Sequence, residues 1–268
     1  MRPDKSLGQH FLRDPEVLAD IAAVADLGHA SGGLEIGPGE GALTAFLVQH
    51  ASAENPLVAI DLDPRALAEI TERFGDRVKC IHGDAAQTPL GPLLPGPRAC
   101  VVGNLPYNAA TAIYRQLIGL GPTFARAVMM FQKEVAERIV AGPGSRAYGM
   151  LSILTALRAR AWIIRNVPPR AFTPPPKVDS AIILMEPLPH APLTDAELPA
   201  FTDFVGQVFA HRRKTITNAI AIAKSAQRLP AIEVSREDLA ALGIDPRWRA
   251  EQIPAATILA WFRHSRRP

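Results

Sequence analysis

Cysteine is scarce: the 268 residues hold two, Cys80 and Cys100, and both lie in apolar, strand-like runs. That excludes a disulfide framework and fits buried, reduced thiols of a cytoplasmic protein. Cys and His residues cluster nowhere with ligand spacing, so a metal site is not expected. The first dozen residues, MRPDKSLGQHFL, lack the apolar segment of a secretion signal. The most apolar later stretch, 150–164, is interrupted by Arg158 and Arg160, which argues against a membrane span. Internal repeats and low-complexity tracts are also missing. What is present is 48% hydrophobic residues, enough for one large domain and a small one.

The net charge of +3 conceals an uneven distribution. Residues 1–83 carry 7 basic against 13 acidic side chains, residues 84–190 carry 11 against 5, and residues 191–268 carry 11 against 8. A polyanion would therefore meet the middle and the C-terminal part, unless these are ordinary solvated faces. The densest basic run, His211-Arg212-Arg213-Lys214, falls inside an expected helix over 212–225.

Strands and helices alternate along the first two thirds. Strands are expected at 33–36, 57–61, 78–82, 99–103, 126–131, 160–166 and 180–186, with helices over 14–26, 42–50, 64–74, 109–119, 133–141 and 149–158. Continuous apolar strands in this pattern belong to a parallel sheet covered on both faces. After EPLPHAPL (186–193) only helices follow, at 195–210, 212–225, 236–242 and 254–263, so the domain boundary is placed in that linker.

In LEIGPGEGALT (34–44), Gly37, Gly39 and Gly41 separate a strand from a helix, and Asp61 ends the next strand twenty residues after Gly41. A glycine turn with a second-strand carboxylate in one βαβ unit points to a nucleoside whose ribose hydroxyls bind the acid. Glu35 and Glu40 would oppose a pyrophosphate at the helix start. A ligand with a positive centre and no phosphate fits better, and S-adenosylmethionine is one. Asp84, after the third strand, can accept from the adenine amine or merely cap a turn.

The stretch VVGNLPYN (101–108) ends a strand with an amide, a fixed backbone and a ring. It reads as a plain turn or as chemistry. An adenine N6 amine is a poor nucleophile because its lone pair is delocalised into the ring. Two acceptors, Asn104 Oδ1 and the Leu105 carbonyl held extended by Pro106, would pull it towards tetrahedral geometry while Tyr107 stacks on the base.

Together KSLGQHFL (5–12), EIGPGEGALT (35–44), GNLPYN (103–108), FQKEVAERIVAGPGSRAYG (131–149), AFTPPPKVDSA (171–181), HRRKTI (211–216) and GIDPRWRAEQI (243–253) make the chain resemble the 16S ribosomal RNA adenine N6,N6-dimethyltransferases. The resemblance implies a class I, Rossmann-like, S-adenosylmethionine-dependent methyltransferase with a seven-stranded, mostly parallel sheet and a small all-α C-terminal domain. The catalytic domain would span 1–188 and the RNA-recognition domain 189–268. Donor contacts carried over are His10, Leu12, Gly37, Gly39, Asp61, Asp84 and Asn104. His10 stands where many relatives have asparagine, and Asp61 where many have glutamate. Asn104, Leu105, Pro106, Tyr107 and Phe172 would form the base pocket, with Phe172 its second wall, unless Phe172 is core. Arg212, Arg213 and Lys214 are the expected RNA contacts. The implied substrate is 16S rRNA in an immature small subunit, met by a monomer without metal. The rivals are a macrolide-resistance enzyme acting on large-subunit RNA, a non-catalytic RNA-binding assembly or transcription factor, and a DNA adenine methyltransferase. NLPY and GIDPRWRAE favour the small-subunit enzyme, and the complete Asn104–Tyr107 set with the glycine turn favours retained chemistry.

Overall fold

The structure is a computed structural model that describes residues 9–225 and 234–266. The first four residues of the KSLGQHFL segment therefore lie outside the described residues. In chain order the elements are β1 (Phe11–Leu12), α1 (Pro15–Ala25), β2 (Gly33–Ile36), α2 (Thr44–Leu47), β3 (Leu57–Asp61), α3 (Pro64–Phe74), β4 (Val78–His82), β5 (Cys100–Asn104) and α4 (Ala110–Leu120). They continue with β6 (Arg126–Gln132), α5 (Lys133–Val140), α6 (Met150–Arg158), β7 (Ala159–Val167), β8 (Phe172–Thr173) and β9 (Ser180–Pro187). Helices α7 (Leu198–Phe209), α8 (Ile216–Ser225), α9 (Arg236–Ala241) and α10 (Ala255–His264) follow.

Two compact units divide the chain. The first takes residues 1–136 and 160–189, the second 137–159 and 190–268. A cut does fall at the proline-rich linker. The boundary expected there nevertheless misses 137–159, which joins the C-terminal helices. The reason lies in α6, whose Ile153, Leu154 and Leu157 are buried in a helical layer with α7 and α10. Arg158, also buried, is held there by Asp195 at 2.5 Å and the Leu193 carbonyl at 2.8 Å.

The first unit is built on a seven-stranded sheet in the order β4-β3-β2-β5-β6-β9-β7. Neighbours from β4 to β6 pair in parallel, and β9 runs antiparallel to β6. The inner strands β2, β5 and β6 are buried almost throughout, as continuous apolar runs require, whereas β4 and β7 at the edges alternate with exposed residues. Asp14 caps α1 by accepting from the Glu16 and Val17 amides, and Pro15 opens the helix. The helix expected over 42–50 shrinks to Thr44–Leu47: Gly41 at φ +75° sets a turn ahead of it, and past Leu47 the bonds tighten to three-residue ones, from the Gln49 amide to the Phe46 carbonyl and from the His50 amide to the Leu47 carbonyl.

The sheet order reverses at β2: β3 lies on one side and β5 on the other. Gly37, Asp61, Asp84 and Asn104 all stand at or just past the carboxyl ends of β2, β3, β4 and β5. In an open α/β sheet this switch point is where a crevice forms. One pairing was not expected: β1 and β8 form a two-stranded antiparallel ribbon, with Phe11 opposite Thr173 and Leu12 opposite Phe172.

Candidate active site

A cleft of about 330 Å³ opens at those strand ends. Gly37 and Gly39 take φ +68° and +54°, which favour glycine. A Cβ on Gly37 would meet the Asn104 carbonyl at 3.8 Å, an ordinary contact, so the positive φ and not a lack of room is what favours glycine there. The Gly39 amide donates to Asp61 Oδ2 at 3.2 Å and the Asp63 amide to Oδ1 at 2.8 Å. Burial pushes the Asp61 carboxyl upward, and these two amides oppose the shift.

Asp84 serves the turn and the cleft together. Its Oδ1 accepts from the Ala86 amide at 2.8 Å and Oδ2 from Gln87 Nε2 at 2.7 Å, while the residue lines the cleft. Carboxylate oxygens accept more than one donor, so the capping role leaves a binding role open.

Asn104 ends β5 with its Nδ2 donating to the His10 carbonyl at 2.8 Å. A carbonyl can only accept, so this bond fixes the amide's orientation and leaves Oδ1 as the acceptor end. Pro106 then turns the chain: its carbonyl accepts from the Ala109 and Ala110 amides, both at 3.0 Å, and α4 begins. Leu105 is buried and lines the same wall. The Tyr107 hydroxyl lies 2.7 Å from Ser180 Oγ, and its ring stacks on His10 with centroids 5.7 Å apart. Burial raises the Tyr107 pKa, opposed by Ser180, so the phenol stays neutral. His10 is anchored through Nδ1 to the Pro174 carbonyl at 2.8 Å. Leu12 lines the cleft beside it.

Phe172 is the residue expected as the second wall of the base pocket. It is 3% exposed, sits in the hydrophobic core with Leu12, Val17 and Ile182, and is not part of the cleft wall. Its partner across the ribbon is Leu12, and that apolar pairing draws the ring inward. The residue that faces Tyr107 is His10.

The electrostatics of the cleft are one-sided. Glu35, Glu40, Asp61 and Asp84 line it, and among the described residues no lysine or arginine does. Glu40 is ion-paired with Arg13, which stands outside the lining. Glu35 is 1% exposed, and its Oε2 accepts from Thr44 Oγ1 at 2.7 Å. Burial pushes its pKa up to about 7, against the Thr44 hydroxyl and with Asp61 adding to the rise. Sequence reasoning used Glu35 only as a charge that repels phosphate, and overlooked Ser180. The signal for Ser180 was a lone hydroxyl opening the apolar run SAIILM.

The basic run is not within a helix. His211–Lys214 forms the turn between α7 and α8, because helical geometry resumes only at Ile216. Within it Arg212 is spent on Glu251 at 2.7 Å and on the Arg146 carbonyl, whereas Arg213 and Lys214 are exposed. Among the described residues, no three or more His, Cys, Asp or Glu side chains are grouped to hold a metal ion, and no helix is long and apolar enough to cross a membrane.

A parallel sheet reversing at β2, a glycine turn after it and an antiparallel β9 define a Rossmann-like class I methyltransferase fold. The match to known proteins is closer than the fold. Residues 2–257 fit the family described as ribosomal RNA adenine dimethylase, and the chain belongs to that family. It is 41% identical over 267 residues to the ribosomal RNA small subunit methyltransferase A of Ruegeria pomeroyi, covering 97% of this chain and 91% of that one. The protein of the same name from Thermosynechococcus vestitus is 38% identical, with 97% and 96% covered. Among solved structures, a dimethyladenosine transferase from Plasmodium falciparum superposes with a TM-score of 0.78 at 26% identity, covering 96% of this chain and 98% of that one. The 23S rRNA methyltransferase ErmE shares the fold, with a TM-score of 0.68 at 24% identity over 96% and 100% of the two chains.

Proposed function

We propose that this protein transfers methyl groups from S-adenosylmethionine to N6 of two adjacent adenines near the 3′ end of 16S rRNA. The substrate is an immature small ribosomal subunit, and the enzyme works in the cytoplasm as a monomer. The names of relatives at about 40% identity support the small-subunit substrate over the large-subunit one. The observation that carries the donor assignment is the acid-lined cleft beside Asn104.

That cleft fits the donor on three counts. A volume of about 330 Å³ suits a small nucleoside. Four carboxyl groups line the cleft and, among the described residues, no lysine or arginine does, Arg13 meeting Glu40 from outside the lining, which favours a positively charged ligand and opposes a phosphate. Gly37 and Asn104 line the cleft at the ends of β2 and β5, where an open α/β sheet binds its ligand. Asp61 is placed to hold ribose hydroxyls, Asp84 the adenine amine, and His10, Leu12, Gly37 and Gly39 to line the donor. When bound, S-adenosylmethionine supplies an electrophilic methyl on a sulfonium.

The chain's own groups then act on the target base. Asn104 Oδ1 and the Leu105 carbonyl accept the two N6 hydrogens and aim the nitrogen lone pair. They are preorganised, Asn104 by the His10 carbonyl and Leu105 by Pro106, so they favour the transition state without reorganising. Tyr107, neutral and fixed by Ser180, offers its ring to the base. The base must leave its stack to arrive there. Residues from about 190 onward recognise the RNA, and Arg213 and Lys214 are the free cations for phosphates.

A methyl-transfer assay comparing immature small subunits, naked 16S RNA and large-subunit RNA tests this reading. Dimethyladenosine is expected in the small-subunit particles. Transfer confined to large-subunit RNA would overturn the assignment.

A further inference from the structure

Glu35 is a cleft carboxyl with no cation beside it. On β2 it lies between Ala59 of β3 and Val102 of β5 in the sheet register, both apolar and buried. The other three cleft carboxylates each have compensation. Glu40 has Arg13, Asp61 has the Gly39 and Asp63 amides, and Asp84 has the Ala86 amide and Gln87. Glu35 has one neutral hydroxyl, Thr44 Oγ1. The titratable and charged groups around the cleft are Asp61 from β3, Glu40 from the glycine turn with Arg13 against it, Asp84 after β4, His10 before β1 and Tyr107 after β5. None of them brings Glu35 a fixed positive charge.

A buried carboxyl in that position holds its proton more tightly than an exposed one, and a cation arriving to share its site favours the ionised form. S-adenosylmethionine carries one net positive charge, on the sulfonium. Loss of the methyl leaves a thioether, S-adenosylhomocysteine, with the same amino acid and nucleoside parts and no net charge. We propose that Glu35 distinguishes donor from spent product by ionisation: it releases its proton when the sulfonium binds and keeps it when the thioether fills the same cleft. No bond to the ligand forms or breaks. The carboxyl O–H proton passes to the buffer on donor binding and returns when the product replaces the donor. The reading rests on the donor assignment made above. Near neutral pH the carboxyl is poised for this, since burial has pushed it to about 7.

The consequence is that the preference for donor over product rises with pH, because deprotonated Glu35 attracts the first and gains nothing from the second. Calorimetry on the full-length protein at pH 6.5, repeated in buffers of different ionisation heat, reads the protons directly. S-adenosylmethionine should release roughly half a proton or more, and S-adenosylhomocysteine almost none. The ratio of the two affinities should climb roughly tenfold between pH 6 and pH 8, and be flat in Glu35→Gln. If Glu35→Gln does not fold by circular dichroism, Thr44→Val serves instead, where loss of the hydroxyl donor should move the pH midpoint upward. Equal proton release by both ligands, or unchanged release in Glu35→Gln, would overturn the inference. Absence of binding by either ligand to the wild-type protein would instead sink the donor assignment and the inference with it.

Discussion

At the residue scale, the arrangement turns on Asn104, whose amide is oriented by a backbone carbonyl and not by another side chain. Asn104→Ala should lose about 10²–10³ in single-turnover methyl transfer at saturating donor, the scale of one preorganised acceptor. The fold should survive, because the residue sits half-buried at a strand end. The second methylation should suffer differently, since a monomethylated N6 has one hydrogen left to donate. Mass spectrometry of mono- and dimethyl products separates the two steps, and a wild-type rate and product ratio would reduce NLPY to a turn. Glu35 gives a separate prediction, on stability. Its carboxyl titrates near 4.5 in the unfolded chain and near 7 when folded. The folded state therefore holds the proton more tightly, and stability present below pH 4.5 is lost as pH rises towards 7. Urea unfolding at pH 5 and pH 8 should show Glu35→Gln gaining on the wild type at the higher pH. An equal difference at both would mean that Glu35 ionises freely in the fold.

At the scale of elements, the ribbon of β1 and β8 accounts for Phe172. Leu12 and Phe172 are 3% exposed each and register opposite one another. Phe172→Ala should cost about 3–5 kcal/mol in unfolding free energy, the range for a core aromatic. A stable variant with a selective loss of RNA methylation would assign Phe172 to the base pocket. Most elements were legible beforehand, because each announces itself locally. Asp14 and Pro15 start α1, Pro64 starts α3, and LVAID, CVVG and RAVMMF are apolar runs that end at polar residues. The strand ends then fall into one cleft by the ordinary rule for parallel sheets, so Gly37, Asp61, Asp84 and Asn104 could be assembled without coordinates. The ribbon could not. Two residues carry no periodicity, and the partners are about 160 positions apart in sequence. The packing of Phe172 against Leu12 is hidden from the sequence for that reason, as is the contact of His10 with Tyr107. The HRRK run is expected to be helical only because its neighbours are, and nothing in it supplies the apolar spacing that a packed helix needs.

At the scale of the whole molecule, charge and connectivity matter more than any single contact. If Arg213 and Lys214 meet phosphates, replacing both by alanine should weaken binding to the ribosomal particle and lower the salt slope by about 1.5–2. Donor affinity should stay as it is. Arg212→Ala is a poorer probe, because it would leave Glu251 without its partner. A salt slope identical to wild type would make the turn an ordinary solvated surface.

The division of the chain has a further consequence, for the order in which it is made. Helix α6 leaves the ribosome about a hundred residues before α10, which shares its layer. Until that helix is synthesised, Ile153, Leu154 and Leu157 have nothing complete to pack against, while a growing chain is exposed to proteases and to its own neighbours. The second unit therefore closes last, although part of it is made before the first unit is finished. Arrested chains that stop short of residue 255 should be cut readily within 137–159, and full-length chains should resist. A protein that methylates ribosomal RNA would thus depend on its own translation passing residue 255 before its middle is safe.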